Sequence, residues 1–431
     1  MGTNKKRNLI FDVGLVLALA LAFVGGYFLN NLLHKKDTSN TSAIAHIIQD
    51  VAYIVDPITG EAKEVTDDDI ADAIVNGLLD DYSAYYTEEE YQELLKEREG
   101  NRAGLGFSFY SNQPIVFKVY GNSPAHRAGF MQGDKVLSLK VDDGQVQTIK
   151  NVTDLKKVLD LLKEEQTLSI TFERDGEQFT EELMMAEYET SQVEYKDSGC
   201  GYFFSSKDGQ ALAGSLDMTK ADLTLDDKTA YIRLDSFENS SMSQIREVLD
   251  LMASRGREKL ILDLRDNGGG NLNVLLEIAS YLIYNEGEEE SLIVFAQKKN
   301  KTEEYYTTAN NFYSHLKEIY VLANENTASA SECLIGAMLH YGDCFSEQNL
   351  IVEKNARGVA STFGKGVMQT TYTLQNGGAL KLTTGRVLFP DKTTCINEIG
   401  IMPIETNAVE KGEALAYAVE LIKGVQLPPS E

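Results

Sequence analysis

Cysteine and histidine are scarce in this sequence of 431 residues, which contains four cysteines and five histidines. The cysteines, at positions 200, 333, 344 and 395, form no Cys-x-x-Cys pair and have no paired histidines nearby. Zinc sites and small disulfide scaffolds normally display such spacing, so the sequence argues against both. We therefore expect a protein without a metal site and without a cofactor.

Basic residues are also few, because 40 lysines and arginines face 66 aspartates and glutamates, giving a net charge of −26. No local basic stripe relieves this excess, so nucleic-acid binding is excluded. The hydrophobic content of 43% is sufficient for a buried core and excludes bulk disorder. The length predicts about three domains.

One long stretch without charge, residues 13–33, stands near the N-terminus. It is long enough for a hydrocarbon core that needs about 20 residues, and three basic residues at positions 5–7 precede it. This pattern predicts a single-pass cell-membrane anchor with a cytoplasmic N-terminus and an extracytoplasmic body. A cleaved signal peptide is the alternative, but the small alanines at 18, 20 and 22 lie in the middle of the apolar run, which favours an uncleaved anchor.

The rest of the chain changes pattern three times. Residues 42–97 have helical periodicity, and residues 100–186 have short alternating runs that predict strands at 114–119 and 167–172 around a helix at 152–162. The polar segment 187–227 favours no structure. Beyond it the pattern is α/β, with strands predicted at 231–234, 260–264 and 319–322, helices at 245–252, 272–283 and from about 329, and a hairpin over 370–384.

A Gly-x-Gly motif formed by Gly104, Leu105, Gly106 and Phe107 precedes a predicted strand. Two such glycines allow backbone N–H groups to converge on a carboxylate, and the following strand offers an edge to which a peptide can add. An ordinary glycine turn is the alternative.

Two later segments lie between a predicted strand and a predicted helix. Gly268 and Gly269 belong to a glycine-rich loop that is either a tight turn or one half of an oxyanion hole. Ser329 is either the N-cap of a helix, in a capping box with Glu332, or a nucleophile whose following amide, that of Ala330, points at an oxyanion.

No histidine lies suitably near Ser329 in the sequence, so lysine is the available general base. Lys365 lies between two glycines, and Gln369 would share its face if the chain ran extended between them. A lysine that acts as a base must be neutral, which requires burial to depress its pKa by about two units or more. A solvated turn lysine is the alternative.

Taken together, these segments resemble the carboxyl-terminal processing peptidases, a family of Ser-Lys proteases that carry a PDZ domain. Residues 104–107, 123–129 and 133–134 resemble the PDZ domain, and the glycine loop, the serine and the lysine occur in the order typical of the family. Residues 79–85, 382–386 and 400–403 are similar to further segments of the family. The resemblance extends from about residue 42 to residue 422.

The resemblance implies Ser329 as nucleophile, Lys365 as general base and Gln369 as its hydrogen-bonding support. The amide of Ala330, with that of Gly268 or Gly269, would form the oxyanion hole. The loop at 104–107 would bind the C-terminus of a protein or peptide substrate.

The implied fold is a mixed α/β peptidase core with an N-terminal helical region, a β-rich PDZ domain with two helices, and one transmembrane helix. The implied boundaries are 1–36 for the cytoplasmic tail and anchor, 37–99 for the helical region, 100–186 for the PDZ domain and 187–427 for the core. The implied function is a membrane-anchored serine endopeptidase that cleaves extracytoplasmic proteins near their C-termini.

Three features depart from the usual family pattern. The interval between Ser329 and Lys365 is longer, which predicts an inserted loop at 345–357, and the link at 187–227 is also longer. Cys333 stands where the family has an aliphatic residue, and we interpret it as a small buried hydrophobe rather than a second nucleophile. The alternative function is a non-catalytic anchored scaffold whose PDZ domain binds protein C-termini.

Overall fold

The computed structural model describes residues 65–98, 101–110, 113–159, 161–163, 165–204 and 224–424, with short pieces at 45, 48–49, 54–55, 62–63 and 212–213. The predicted membrane segment at 13–33 lies outside these residues. Among the described residues, no helix has the length and apolarity to cross a membrane. The chain divides into two compact units, residues 1–85 and 86–431.

The first unit contains strands β1 (Ile54–Val55) and β2 (Ala62–Lys63) and helix α1 (Asp67–Leu78). Thr66 caps α1 in a box with Asp69, and Tyr85 donates a hydrogen bond of 2.6 Å to Asp68. The predicted helical pattern is confirmed at α1 but wrong at β1 and β2, which pair with each other. Pro57 and Gly60 in the intervening sequence explain the difference, because both disfavour a helix.

Strand β3 (Ala84–Tyr86) contains the division between the units, and the first helix of the second unit is α2 (Glu88–Arg98). A β-rich region follows. Its elements are β4 (Asn101–Gly104), β5 (Phe107–Phe109), β6 (Val116–Val119), α3 (Pro124–Arg127), β7 (Lys135–Val141), β8 (Gln147–Thr148), α4 (Val152–Leu159), β9 (Thr167–Arg174), β10 (Glu177–Met184) and β11 (Ala186–Glu189).

The β-rich region has its own hydrophobic core, which lies within residues 105–183. Its strands pair as β10-β9-β7-β8 in one sheet and as β5-β6 and β11-β4 in two short ladders. The buried carboxylate of Asp134 accepts two hydrogen bonds from the guanidinium of Arg174, which attaches β9 to the turn before β7.

The remaining chain forms two sheets with helices. Its elements are β12 (Val193–Asp197), β13 (Cys200–Phe204), β14 (Leu212–Ala213), β15 (Thr229–Leu234), α5 (Asn239–Ser254), β16 (Lys259–Asp263), α6 (Leu272–Leu282), β17 (Leu292–Lys298), β18 (Thr302–Tyr306), β19 (Glu318–Ala323), α7 (Ala330–Tyr341), β20 (Leu350–Glu353), β21 (Val367–Thr373), β22 (Ala379–Leu388), β23 (Ala408–Val409) and α8 (Ala414–Ile422).

The described strands of the larger sheet lie in the order β14-β13-β12-β15-β16-β19-β20-β23. The last five strands in this order, from β15 to β23, are parallel to one another. Alternate residues of β16 face opposite sides, so that Leu260 and Leu262 pack with α5, α6 and α7, whereas Ile261 packs with α8. Helices on both faces therefore bury the parallel strands, as apolar runs of this kind predict.

Two segments differ from the expectations. The predicted inserted loop at 345–357 is wrong, because it contains β20, where Leu350, Ile351 and Val352 are fully buried between β19 and β23. The polar segment at 187–227 supplies β12, β13 and β14 to the same sheet. The sequence does not indicate these strands, because the buried polar residues Gln192 and Glu194 alternate with the apolar side chains of Val193 and Tyr195.

Candidate active site

The glycine-rich loop and the serine loop lie side by side because β16 and β19 are parallel neighbours. Asp263 pairs in register with Leu322, so the chain leaves both strands at the same edge of the sheet. The N–H of Leu264 donates to the carbonyl of Leu322 at 2.9 Å, and that of Ala328 donates to the carbonyl of Asn267 at 3.0 Å. These bonds join the two loops along their length.

Ser329 occupies the N-cap position of α7 with φ 57° and ψ −114°. An ordinary N-cap has a negative φ, whereas a positive φ is unfavourable for a residue with a Cβ atom. The N-cap interpretation is confirmed, because Ser329 begins α7, and the strained backbone at this turn is compatible with the nucleophile hypothesis, which stays a prediction.

A single carboxylate, that of Glu332, holds the serine loop and the lysine loop together. Glu332 is fully buried, and its Oε2 accepts the N–H of Ser329 at 2.8 Å and the N–H of Lys365 at 2.9 Å. Its Oε1 accepts the hydroxyl of Thr362 at 2.5 Å and the N–H of Gly364 at 2.8 Å. Four donors satisfy a charge that would otherwise be costly to bury.

The two glycines proposed for the oxyanion hole have different roles. Gly269 donates its N–H to Oδ1 of Asn267 at 2.9 Å, so this amide is already committed. A Cβ atom at Gly269 would lie 2.8 Å from the nitrogen of Ala330, so glycine permits close approach to the serine loop. Within the described part of the chain, the N–H groups of Gly268 and Ala330 donate no hydrogen bond. This geometry favours Gly268 over Gly269 as the second donor.

Lys365 and Gln369 enter the same cleft, although not through a regular strand. Lys365 precedes β21, and the pairing with β22 shifts by a bulge between Met368 and Gln369, so the expected extended run is interrupted. Lys365 is half-buried. The side-chain amide nitrogen of Gln369 donates a hydrogen bond of 3.2 Å to the hydroxyl of Thr383, and the side-chain carbonyl oxygen of Gln369 takes no part in this bond.

The cleft has a volume of about 990 Å³ and brings together six of the residues singled out from the sequence. They are Gly268, Gly269, Ser329, Ala330, Lys365 and Gln369. Cys333 also lines the cleft, but it is only 6% exposed, and burial raises the pKa of its thiol to about 12. The interpretation of Cys333 as a buried hydrophobe is confirmed.

The loop formed by Gly104, Leu105, Gly106 and Phe107 lies outside this cleft. Gly104 and Gly106 have φ values of 132° and 86°, and a Cβ atom at Gly106 would lie 1.9 Å from that of Ser123. In the described residues, the N–H groups of Leu105 and Gly106 donate no hydrogen bond. The loop therefore presents unused donors beside β5, whose other edge pairs with β6.

The β-rich region nevertheless reaches the cleft through β6. Lys118 and Tyr120 are among the residues that line it, and Nζ of Lys118 lies 3.5 Å from Oδ2 of Asp235. Asp235 also accepts a hydrogen bond of 2.9 Å from Nε of Arg233, and despite its burial these two cations lower its pKa.

Glu194 lies beside this group with Oε2 buried and without a hydrogen-bond partner in the described residues. Burial raises the pKa of Glu194 from 4.5 to about 8; the positive charges of Arg233 and Lys118 oppose this rise, and the negative charges of Asp235 and Asp263 add to it.

The sequence did not single out several residues that organise the site. The capping box indicates only a capping role for Glu332, and no sequence pattern indicates a role for Asn267, Thr362 or Asp235. The one available signal was the capping box itself, because a glutamate there reaches back to the amide of the nucleophile. Hydrogen bonds to the lysine loop connect positions more than 30 residues apart and have no sequence signature.

Replacing Glu332 by glutamine tests its bridging role. Glutamine has one acceptor oxygen, so its NH₂ group would face two donors that Glu332 now satisfies. We expect the free energy of unfolding of Glu332→Gln to fall by about 2–4 kcal/mol. The measurement is urea denaturation, with the exposed Glu325→Gln as matched control. Equal stability of the two variants would contradict the bridging role.

A second prediction concerns the pH dependence of stability. The raised pKa of Glu194 means that, between pH about 4.5 and about 8, the folded chain keeps a proton that the unfolded chain releases. The contribution of Glu194 to stability therefore falls as pH rises through this window. We expect Glu194→Gln to gain stability relative to wild type between pH about 5 and about 8.5. Urea denaturation across this range measures it, with exposed Glu286→Gln as control; parallel curves for wild type and Glu194→Gln would refute the assignment.

Comparison with known proteins agrees with the two-part organisation of this unit. The description "Peptidase family S41" matches residues 228–405, and "PDZ domain" matches residues 103–184. A "Probable CtpA-like serine protease" of Staphylococcus aureus (strain bovine RF122 / ET3-1) is 26% identical over 416 residues, which cover 94% of this chain and 73% of the relative. A protein of the same description from Staphylococcus saprophyticus is 25% identical over 409 residues, covering 93% and 73%.

Among solved structures, the photosystem II D1 C-terminal processing protease matches with a TM-score of 0.47 and 21% identity, over 84% of this chain and 91% of that one. The match to peptidase family S41 covers strands of the sheet that carries Ser329. The match to the PDZ domain covers the β-rich region before it. Residues 228–405 therefore match peptidase family S41, residues 103–184 ahead of them match the PDZ domain, and the chain is similar over most of its length to CtpA-like serine proteases.

Proposed function

We propose that the chain is a serine endopeptidase in which Ser329 is the nucleophile and Lys365 the general base. The observation that carries this proposal is the shared carboxylate of Glu332, which accepts the backbone N–H of both residues and so holds their loops at one point. Ser329 and Lys365 line the same cleft, whose described lining residues include no histidine.

The mechanism begins with a neutral Lys365 amine that takes the proton of the Ser329 hydroxyl as Oγ attacks the scissile carbonyl. The carbonyl oxygen becomes an oxyanion, which the N–H groups of Ala330 and Gly268 stabilise at the start of a helix. Lys365 then returns the proton to the departing amine as the C–N bond breaks. Water attacks the resulting acyl-enzyme, with Lys365 again accepting a proton, and the serine is regenerated.

Gln369 acts as a positioning residue in this scheme. Its amide nitrogen donates to Thr383, which orients the side chain and leaves the carbonyl oxygen as an acceptor for an amine N–H. An amine held in this way keeps its lone pair for the serine proton.

The PDZ domain is proposed to bind the C-terminus of the substrate. The unused N–H groups of Leu105 and Gly106 suit a terminal carboxylate, and the free edge of β5 suits an added peptide strand. Because Lys118 and Tyr120 border the peptidase cleft, a chain held by this domain is close to the proposed nucleophile. Substrates are therefore proteins cleaved near their C-termini.

Residues 13–33 are proposed as a single-pass anchor that leaves the peptidase outside the cytoplasm. The support is their lack of charge and the basic residues before them.

The catalytic proposal is tested with an unfolded protein as substrate for wild type, Ser329→Ala and Lys365→Ala. We expect each substitution to lower cleavage at least about 10³-fold, because nucleophile and base act as a unit. The exposed Lys411→Ala, which also removes one lysine, is the control and should cleave as wild type does. Equal residual cleavage by wild type and both site variants would contradict the peptidase proposal, and the non-catalytic scaffold would then be the remaining function.

The pH profile examines the base separately. A neutral amine is the active form, so kcat/KM of the wild type should rise with pH between about 6 and about 9. A rate that does not change over this range would exclude Lys365 as the base.

Blocking the substrate C-terminus as an amide should slow cleavage if the PDZ domain recognises the carboxylate.

The anchor is tested by fractionating cells that express the full chain or a chain beginning at residue 37. We expect the full chain to stay in the membrane pellet after an alkaline carbonate wash and the shorter chain to be soluble. Protease added outside intact spheroplasts should digest the peptidase domain. Release of the full chain by carbonate would contradict a spanning anchor.

A further inference from the structure

We propose that Lys381 is a specificity residue that selects peptides with a carboxylate two to three residues from the scissile bond. This inference rests on the proposed function and deepens it, because it adds a charge preference to the proposed active site.

The hairpin of β21 and β22 places Lys381 on the cleft. Gln369 pairs with Thr383 and Thr371 pairs with Lys381, so the four side chains share one face of the hairpin. Gln369, Thr371 and Lys381 all line the cleft that contains Ser329. Lys381 therefore faces the same space as the proposed catalytic residues.

The charge of Lys381 has no carboxylate partner within the described residues, unlike two other lysines of the cleft. Lys118 pairs with Asp235, and Lys298 pairs with Glu303. The Nζ atom of Lys381 instead lies 5.6 Å from the centre of the Tyr86 ring. A cation over a ring face keeps its N–H donors, so a substrate carboxylate can add a charge-assisted hydrogen bond.

The position along the strand sets the expected subsite. Lys381 pairs with Thr371, which lies two residues beyond Gln369 in β21. Two residues of an extended chain span about 7 Å. A peptide that runs extended beside β21 advances at the same rate, so the carboxylate should lie about two to three residues from the bond that is cut. The chain as a whole carries a charge of −26, so a local cation is needed to favour an acidic peptide.

The experiment uses the full chain and a set of peptides of one sequence with both ends blocked. Each position within four residues of the scissile bond carries glutamine, glutamate or lysine in turn. We expect wild type to prefer glutamate at one position by about five- to tenfold in kcat/KM. Lys381→Gln should abolish this ratio, Lys381→Arg should retain it, and Lys381→Glu should prefer lysine there.

Two further arms complete the design. Peptides that end at the preferred position with a free carboxylate distinguish a terminal carboxylate from an acidic side chain, and either preference, if it depends on Lys381, supports the proposal. Lys411→Glu is the matched control for net charge, because this exposed lysine lies outside the cleft lining, and it should retain the wild-type ratio.

The ratio between two peptides does not depend on how much of a variant is folded. If wild type cleaves the neutral peptides but Lys381→Gln and Lys381→Glu keep the wild-type ratios at every position, the specificity role is overturned and the catalytic proposal stands. If wild type leaves both the peptides and the unfolded protein intact, both proposals are overturned.

Discussion

The arrangement of the site depends on one buried carboxylate, that of Glu332. A charge fully removed from water is stable only when donors surround it, and the donors available here belong to two segments distant in the chain. Satisfying Glu332 therefore brings the serine loop to the lysine loop. The positive φ of Ser329 and the close approach of Gly269 to the serine loop are locally unfavourable, and the hydrogen bonds of Glu332 help to maintain them.

Buried charges recur along the carboxyl edge of the parallel strands. Asp263 is fully buried against Arg265, which also donates to Glu353 at 2.7 Å, so β16 with its loop and β20, which flank β19 in the sheet, share one ionic network. Asp235 extends this pattern to the PDZ domain through Lys118. Because isolated buried charges are costly, each of these contacts constrains the position of its loop, and the pair formed by Lys118 and Asp235 does so in the lining of the cleft.

The sequence predicted the regular parts of the fold well. Apolar runs located β15, β16 and β19, and strand-to-helix junctions located the glycine loop and Ser329, because parallel α/β units repeat this pattern. It failed where composition and burial disagree. The described part of the polar segment 187–227 contributes β12, β13 and β14 to the core sheet, and the expected loop at 345–357 contains the buried strand β20, since strand pairing with distant partners outweighs local polarity.

The sequence by itself determined which chemical groups are available: a serine at a helix start, a lysine between glycines, glycine-rich turns, and a scarcity of histidine and cysteine that argues against a Ser-His-Asp triad and a zinc site. The tertiary structure decided how they are used. It committed the amide of Gly269 to Asn267 while leaving that of Gly268 free, and it joined Ser329 to Lys365 through Glu332. These choices depend on distances between segments that are adjacent only after the parallel strands have paired, and periodicity or spacing along one chain carries no record of them.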